Sequence, residues 1–189
     1  MTQFEYLGVF ISVIVGLAVA HIVRIAGAVI LNRKEVRLYW PHSIWCLNML
    51  FYLINFWWFI FYWSRLADWH YLLFILLISY AILLSLVTLI LLPGKIGVGF
   101  NFKDHYYKTR KWFFGLSTVF WCIDFAETYL KHIKGVREMP RFYITFLATI
   151  LILTIAGIIT DNKTFHKFFS IFWFIWVALF WSTLVLVIN

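Results

Sequence analysis

Residues 15–31, VGLAVAHIVRIAGAVIL, have the composition of a membrane-spanning helix, but His21 and Arg24 stand where hydrocarbon side chains are expected. A helix needs about 20 predominantly apolar residues to cross a bilayer core of about 30 Å. An unpaired arginine at the centre of such a helix costs about 2.5 to 3.5 kcal/mol even on the lenient insertion scale. The sequence therefore raises the question of what stabilises this positive charge.

The composition of the whole chain is that of an integral membrane protein. Of its 189 residues, 64% are hydrophobic and only 13% are charged, and the mean hydropathy is +0.90. The net charge of +8 would suggest a nucleic-acid partner in a soluble chain. Here the basic residues lie in short segments between apolar runs, where they indicate topology and lipid headgroup contacts instead. Cys46 and Cys122 lie inside apolar runs without paired spacing, so neither a disulfide nor a zinc site is predicted.

The hydropathy pattern predicts six membrane-spanning helices. Apolar runs of suitable length cover residues 5–31, 42–63, 69–92, 111–132, 142–160 and 165–188. The connections between them are too short to form an extramembrane domain. We therefore predict an all-α fold, a polytopic membrane helix bundle with six transmembrane helices, in a single integral membrane domain over residues 1–189.

The distribution of lysine and arginine predicts the orientation, because the more basic face of a membrane protein usually lies in the cytoplasm. One face carries Arg33, Lys34, Arg37, Lys95, Lys103, Lys108, Arg110, Lys111, Lys163 and Lys167. The other carries Arg65, Lys131, Lys134, Arg137 and Arg141. We predict that the first face is cytoplasmic and that both termini lie outside. The connection between the fourth and fifth spans is also basic, and it lies on the other face and opposes this assignment. Four of its residues are expected to contact anionic lipid headgroups: Lys103, Lys108, Arg110 and Lys111.

Small residues recur at every fourth position of the first span and form a stripe. Its members are Gly8, Ser12, Gly16, Ala20 and Ala28. Small residues at this spacing allow another helix to approach closely, so the stripe is predicted to be a packing face. Arg24 lies on the stripe and is therefore expected to face protein rather than lipid, with His21 beside it.

The fourth span supplies candidate partners for Arg24. Asp124 and Glu127 share one helical face with Ser117 and Thr128. The second span carries Asn48 and Asn55 along an amide and phenol seam. Our hypothesis is that Asp124 or Glu127 compensates Arg24, and that His21 and the two asparagines complete a buried polar cluster. The alternatives are an ion pair that only fixes helix register, and an Arg24 side chain that snorkels to the inner headgroups.

Two function classes fit these features. Intramembrane acids and a histidine are typical of an ion or proton pathway, which predicts a small ion or proton-coupled channel or transporter with Asp124 and Glu127 as coupling residues and His21 as relay. The alternative is a non-catalytic membrane subunit, sensor or assembly partner that docks through the small-residue stripe, in a homo-oligomer or with another membrane protein. A membrane enzyme or haem protein is not favoured, because His21 is the only histidine well inside a span and no catalytic motif occurs. No cofactor or metal is expected.

Three segments carry a resemblance. They are FEYLGVFISVIVGLAVAHIVR, then NRKEVRLYWPHSIWCLNMLFYLINFWWFIFYW, and later KDHYYKTRKWFF. In this order the chain resembles a widespread group of uncharacterised bacterial multi-pass membrane proteins, over roughly its first two thirds. The resemblance implies a bacterial inner-membrane location. It implies no activity and assigns no functional residue.

Overall fold

A computed structural model describes the backbone of residues 2–186 and the side chains of residues 2–182. Over this range the chain forms six α-helices. They are α1 (Gln3–Leu31), α2 (Trp40–Ile60), α3 (Tyr71–Leu91), α4 (Phe102–Ile133), α5 (Tyr143–Ile159) and α6 (Lys163–Leu186). A short 3₁₀ helix, Phe61–Arg65, extends α2. The all-α prediction is confirmed, and the last two residues of the predicted sixth span, 187 and 188, lie outside the described residues.

Four of the helices are long and apolar enough to cross a membrane: α1, α2 with its 3₁₀ extension, α3 and α6. The fifth helix is apolar but has only 17 residues. The fourth has 32 residues and carries charged side chains along its length. At about 1.5 Å per residue it is about 48 Å long. The structure thus supports a membrane protein, with α4 and α5 unlike the other four helices.

The fourth helix starts well before the predicted position. We expected it to begin at Lys111, but it begins at Phe102, so the whole basic and aromatic segment KDHYYKTRKWFF, residues 103–114, lies within the helix. The side chain of Asn101 caps this start, since its side-chain oxygen Oδ1 accepts a hydrogen bond from the Lys103 amide at 3.0 Å. Such a cap satisfies one of the amide groups left free at a helix start.

The bundle has two ends that differ in composition. At one end, which we call the basic end, the α1–α2 and α3–α4 connections pair through Arg37. Its amide donates to the Phe100 carbonyl, and its carbonyl accepts from the Phe102 amide. The tight path here requires Gly99, which has a φ of +75°. The opposite end holds the start of α1 and the α2–α3 connection, where Phe4 packs on Phe61 with ring centroids 6.0 Å apart.

The first helix packs through a different face from the one predicted. Its buried residues are Leu7, Gly8, Ile11, Val15, Ala18, Ile22 and Ile25. Ser12, Gly16 and Ala20 are exposed, and a Cβ added at Gly16 would meet nothing within 4 Å. Apart from Gly8, which is buried, the small-residue stripe is therefore not a packing face within this chain, and the prediction is wrong for Ser12, Gly16 and Ala20. Large apolar side chains spaced by three and four residues form a broader buried face than the stripe could.

Candidate functional site

A cavity of about 60 Å³ lies at the opposite end of the bundle, among α2, α3, α4, α5 and α6. We call it the acidic cavity. Within the described part of the chain, its polar lining comes from nine residues: Tyr52, Tyr80, Asp124, Glu127, Thr128, Lys131, Arg137, Glu138 and Tyr143. The remaining lining is largely aromatic. A buried water needs about 10–15 Å³ of cavity volume, so the cavity has room for several waters or one small ion.

Asp124 is held in this cavity by hydroxyl groups. The Tyr80 hydroxyl on α3 donates to one carboxylate oxygen, and the Tyr143 hydroxyl on α5 donates to the other at 2.8 Å. No lysine or arginine in the described part of the chain forms an ion pair with Asp124. The central position of α4 between α3 and α5 brings a tyrosine to each side of the carboxylate. Asp124 is therefore an acid with neutral hydrogen-bond donors and no paired cation.

Glu127, in contrast, has a cationic partner on its own helix. Lys131 Nζ lies 2.6 Å from its carboxylate oxygen, and both side chains are nearly fully buried. The Trp63 indole N–H donates to the same oxygen at 2.8 Å, and Lys131 also donates to the Phe59 carbonyl at 3.0 Å. The end of α2 thus satisfies both members of the pair. The charge of Glu127 is compensated within the protein.

Arg24 does not reach either acid, so the predicted pairing was wrong. Its guanidinium donates to the Gly94 carbonyl at 3.1 Å and lies 2.9 Å from His21 Nδ1. Arg24 is exposed and points to the segment that follows α3, at the basic end of the bundle. This is the direction that the snorkelling alternative predicts. The long arginine side chain carries its charge toward the end of the helix, where a backbone carbonyl accepts it.

The two asparagines also lie apart from the acids. The Asn55 amide donates to the Phe51 carbonyl of its own helix at 2.8 Å. Asn48 is fully buried, and within the described residues neither its amide nitrogen nor its oxygen has a hydrogen-bond partner. The predicted cluster of His21, Arg24 and the asparagines around the α4 acids is therefore not formed.

A second polar cluster, which the sequence reasoning missed, occupies the basic end. Arg110 was expected to contact lipid headgroups, but it is only 2% exposed. It pairs with Asp161 and donates to the carbonyls of Gly157 and Thr160, at the end of α5. A cation satisfies the free carbonyl groups of a helix end and is favoured there. Of the other predicted headgroup contacts, Lys103 is half-buried, and Lys108 and Lys111 are exposed.

His166 joins this cluster from the first turns of α6. Its Nδ1 lies 3.0 Å from the Tyr106 hydroxyl, and its Nε2 lies 2.9 Å from the Thr160 carbonyl and 3.2 Å from Arg110. We call Tyr106, Arg110, Asp161 and His166 the basic-end cluster. Tyr106 and Arg110 are four residues apart on α4, and this spacing was the available signal that both face the same neighbour.

Two further histidines bond to the end of α3. His42 and His105 each lie within hydrogen-bond distance of the Leu91 carbonyl, at 2.8 Å and 3.0 Å. His105 precedes the predicted fourth span, and burial, the largest effect, lowers the pKa of its imidazole despite this hydrogen bond. Both rings therefore satisfy the Leu91 carbonyl at the end of α3, next to the α3–α4 connection. The described residues contain no group of three or more histidine, cysteine or acidic side chains placed to hold a metal ion.

Comparisons of the chain with protein-family models, with curated proteins and with solved structures give no match.

Proposed function

We propose that this protein is a six-span bacterial inner-membrane protein that moves protons or small cations, with Asp124 as the ion-binding group. The observation that carries the proposal is the setting of Asp124, a partly buried carboxyl group on the wall of a cavity, with two tyrosine hydroxyls and no paired cation. A carboxylate that is shielded from water and has no paired cation is unfavourable, and a bound proton or cation removes that cost. Asp124 is thus suited to take up and release a positive charge.

The neighbouring Glu127 has a different role in this proposal. Lys131 already compensates its charge at 2.6 Å, so binding a further proton or cation there would break an existing ion pair. Glu127 and Lys131 instead hold α4 to the end of α2. His21 and Arg24 lie away from the cavity and have no part in the pathway.

The orientation proposed from the sequence also gains support. Lys131 belonged to the basic fourth connection that opposed a cytoplasmic basic end, but it is buried and paired with Glu127. A lysine whose charge is neutralised inside the bundle is a poor topology signal. We therefore keep the basic end as the cytoplasmic one and both termini outside. In this orientation the acidic cavity lies in the outer half of the membrane, and Lys103, Lys108 and Lys111 meet the inner headgroups.

A flux measurement in proteoliposomes tests the proposal. Vesicles with a trapped pH-sensitive dye report proton entry under an imposed pH gradient, and potassium entry is measured in parallel. We expect flux through the native protein and a loss of about 100-fold in Asp124→Asn, the range typical of a residue that transfers a proton. The matched control is Asp104→Asn, the same change at an exposed acid of the same helix. A native protein that passes neither ion would overturn the proposal.

A second candidate function is supported by α1. Its exposed residues Ser12, Gly16 and Ala20 form a smooth surface that no other helix covers in the described part of the chain. Such a surface suits close packing with a helix of another protein or a second copy. In a membrane subunit of this kind, Asp124→Asn would change stability and leave association unaffected.

A further inference from the structure

The walls of the acidic cavity are mostly aromatic. Of the eighteen described residues that line it, ten carry aromatic rings: Tyr52, Phe56, Phe59, Tyr80, Phe120, Trp121, Tyr143, Phe146, Phe180 and Trp181. Neighbouring rings contact one another, with the centroids of Phe56 and Tyr80 4.8 Å apart and those of Tyr80 and Phe120 4.9 Å apart. The faces of such rings carry partial negative charge and attract cations. Asp124, a carboxylate without a paired cation, thus stands among groups that themselves favour a positive charge.

Aromatic rings at this end of the bundle also hold cations of the protein itself. The Arg137 guanidinium lies 4.5 Å from the centroid of the Tyr62 ring and 5.4 Å from that of Phe59. Phe59 belongs to the cavity wall. Lys131 Nζ lies 5.9 Å from the Tyr62 centroid. A cation within about 6 Å of a ring centroid is attracted to the ring face. The rings here therefore stabilise positive charge as well as filling space.

The cavity reaches the surface at the α4–α5 connection. Its lining there includes Arg137 and Glu138, and Glu138 is exposed. In the orientation proposed above, this mouth faces the outside. Among the described residues the lining carries three acids, Asp124, Glu127 and Glu138, and two bases, Lys131 and Arg137. The lining therefore has an excess of one negative charge when these groups are ionised, and one monovalent cation would neutralise it.

Size and chemistry distinguish the cations that could occupy this cavity. At about 10–15 Å³ for each water-sized group, a cavity of about 60 Å³ holds roughly four to six non-hydrogen atoms. A potassium ion exchanges its water shell for several oxygen atoms, whereas most of this wall presents carbon. A proton would occupy only the carboxyl group and leave the cavity unfilled. An alkylammonium ion spreads its charge over its alkyl groups, which the faces of aromatic rings accept directly.

We propose that the acidic cavity binds a small alkylammonium ion, of about the size of tetramethylammonium. The charge of the ion pairs with the Asp124 carboxylate, and its alkyl groups lie against the rings of Tyr80 and Phe120. The hydroxyls of Tyr80 and Tyr143 hold the carboxylate in place. They leave lone pairs free, since a carboxylate accepts about four hydrogen bonds. This proposal rests on the cation-binding role proposed for Asp124 and names the class of cation.

Isothermal titration calorimetry of the native protein tests the proposal in a maltoside detergent, which carries no ammonium group. Three probes are compared: tetramethylammonium has both charge and methyl groups, potassium has the charge alone, and tert-butanol has a similar shape without the charge. We expect tetramethylammonium to bind at least about tenfold more tightly than the other two, because it alone gains from both the carboxylate and the rings. Equal affinity for potassium or for tert-butanol would overturn the proposal, as would a lack of tetramethylammonium binding.

Two variants, each with a matched control, locate the bound ion. Asp124→Asn removes the charge and should weaken tetramethylammonium binding at least about tenfold, whereas Asp104→Asn, at an exposed acid of the same helix, should leave it unchanged. Phe120→Leu keeps an apolar side chain without the ring and should weaken binding about fivefold. Its control is Phe113→Leu, the same change at a buried ring of α4 outside the described cavity lining. Equal weakening in variants and controls would contradict the site.

The outcomes separate this proposal from the proposed transport. Proton or potassium flux that depends on Asp124, in a protein that does not bind tetramethylammonium, would overturn the alkylammonium site alone. Binding that requires Asp124 and Phe120, in a protein that passes neither ion, would support the site and overturn the proposed transport. If Asp124→Asn does not fold, the comparison of the three probes and the effect of Phe120→Leu decide.

Discussion

The first and fourth helices both carry charged residues within their length, but they place them on opposite sides. In α1 the buried face is apolar, and Arg24 extends along the exposed surface to a carbonyl at the basic end. In α4 the buried face is largely aromatic but also includes Arg110, Glu127 and Lys131. The α1 charge is thus accommodated by the length of its side chain, and the α4 charges by partners.

This difference decides which substitutions matter. A side chain that reaches the end of its helix can be replaced with little loss, whereas a buried charge depends on its counter-charge. Most of the α4 partners are aromatic groups or backbone carbonyls from neighbouring helices, such as Trp63 and Phe59. The buried charged side chains of α4 therefore help to fix the positions of the helices that pack against it.

The largest effect is expected at Lys131. Lys131→Met keeps the length of the side chain but leaves the buried Glu127 carboxylate without a cation, which costs about 3–5 kcal/mol of the free energy of unfolding. Arg24→Met, the same kind of change on α1, should cost less than about 1 kcal/mol. Chemical unfolding in detergent micelles, followed by tryptophan fluorescence, measures both.

A double variant sharpens this test. Adding Glu127→Gln to Lys131→Met removes the isolated charge and should recover most of the lost stability, because two neutral side chains replace the pair. Equal losses for Arg24→Met and Lys131→Met would show that the two helices do not differ as the structure indicates.

A smaller loss is expected at Arg110. Arg110→Gln removes the ion pair with Asp161 and hydrogen bonds to carbonyls at the end of α5. We expect a loss of roughly 2–3 kcal/mol, typical of hydrogen bonds to a charged group. Lys111→Gln changes the exposed neighbour and serves as the control, with an effect within about 0.5 kcal/mol. A larger loss at Lys111 than at Arg110 in thermal unfolding would contradict the burial of Arg110.

The sequence predicts the helices better than it predicts their contacts. Apolar runs identified all six helices because burial in lipid or protein requires them. The start of α4 was missed because the cap at Asn101 lies outside any apolar run. Asp124 and Glu127 were assigned to one face, and both do line the acidic cavity. Their partners were not predictable, since 22% of the residues are aromatic and periodicity does not separate a lipid-facing tyrosine from Tyr80 or Tyr143.

The error at Arg24 has a related cause. Helix length gives the depth of a residue in the membrane, at about 1.5 Å per residue, but not the direction of its helical face. The small-residue stripe suggested that Arg24 faced protein. The apolar face of α1 packs inside instead, and this places the stripe outside.

Gly157 on α5 allows a close approach that no glycine of the α1 stripe provides. A Cβ added there would lie 3.0 Å from the Phe114 ring of α4. Gly157→Ala should therefore cost about 1–2 kcal/mol, since the clash with a buried ring exceeds the gain in helix propensity. Thermal unfolding in micelles tests this, and an unchanged midpoint would mean that α4 and α5 are farther apart than in the structure.

The smallest effect is expected at Gly16, where the same change meets open space. Gly16→Ala adds a Cβ with nothing within 4 Å, so only the helix propensity acts, and it should stabilise α1 by at most about 1 kcal/mol. Unfolding of the monomer in dilute micelles measures this helix-propensity effect alone.

Mass measurement in nanodiscs tests whether the stripe binds a second copy of the chain. If it does, the methyl group added by Gly16→Ala would disturb a close helix contact and shift the population toward monomer. Stabilisation without a mass change leaves the stripe facing lipid and favours the ion pathway, whereas dissociation by Gly16→Ala favours a membrane subunit that docks through α1.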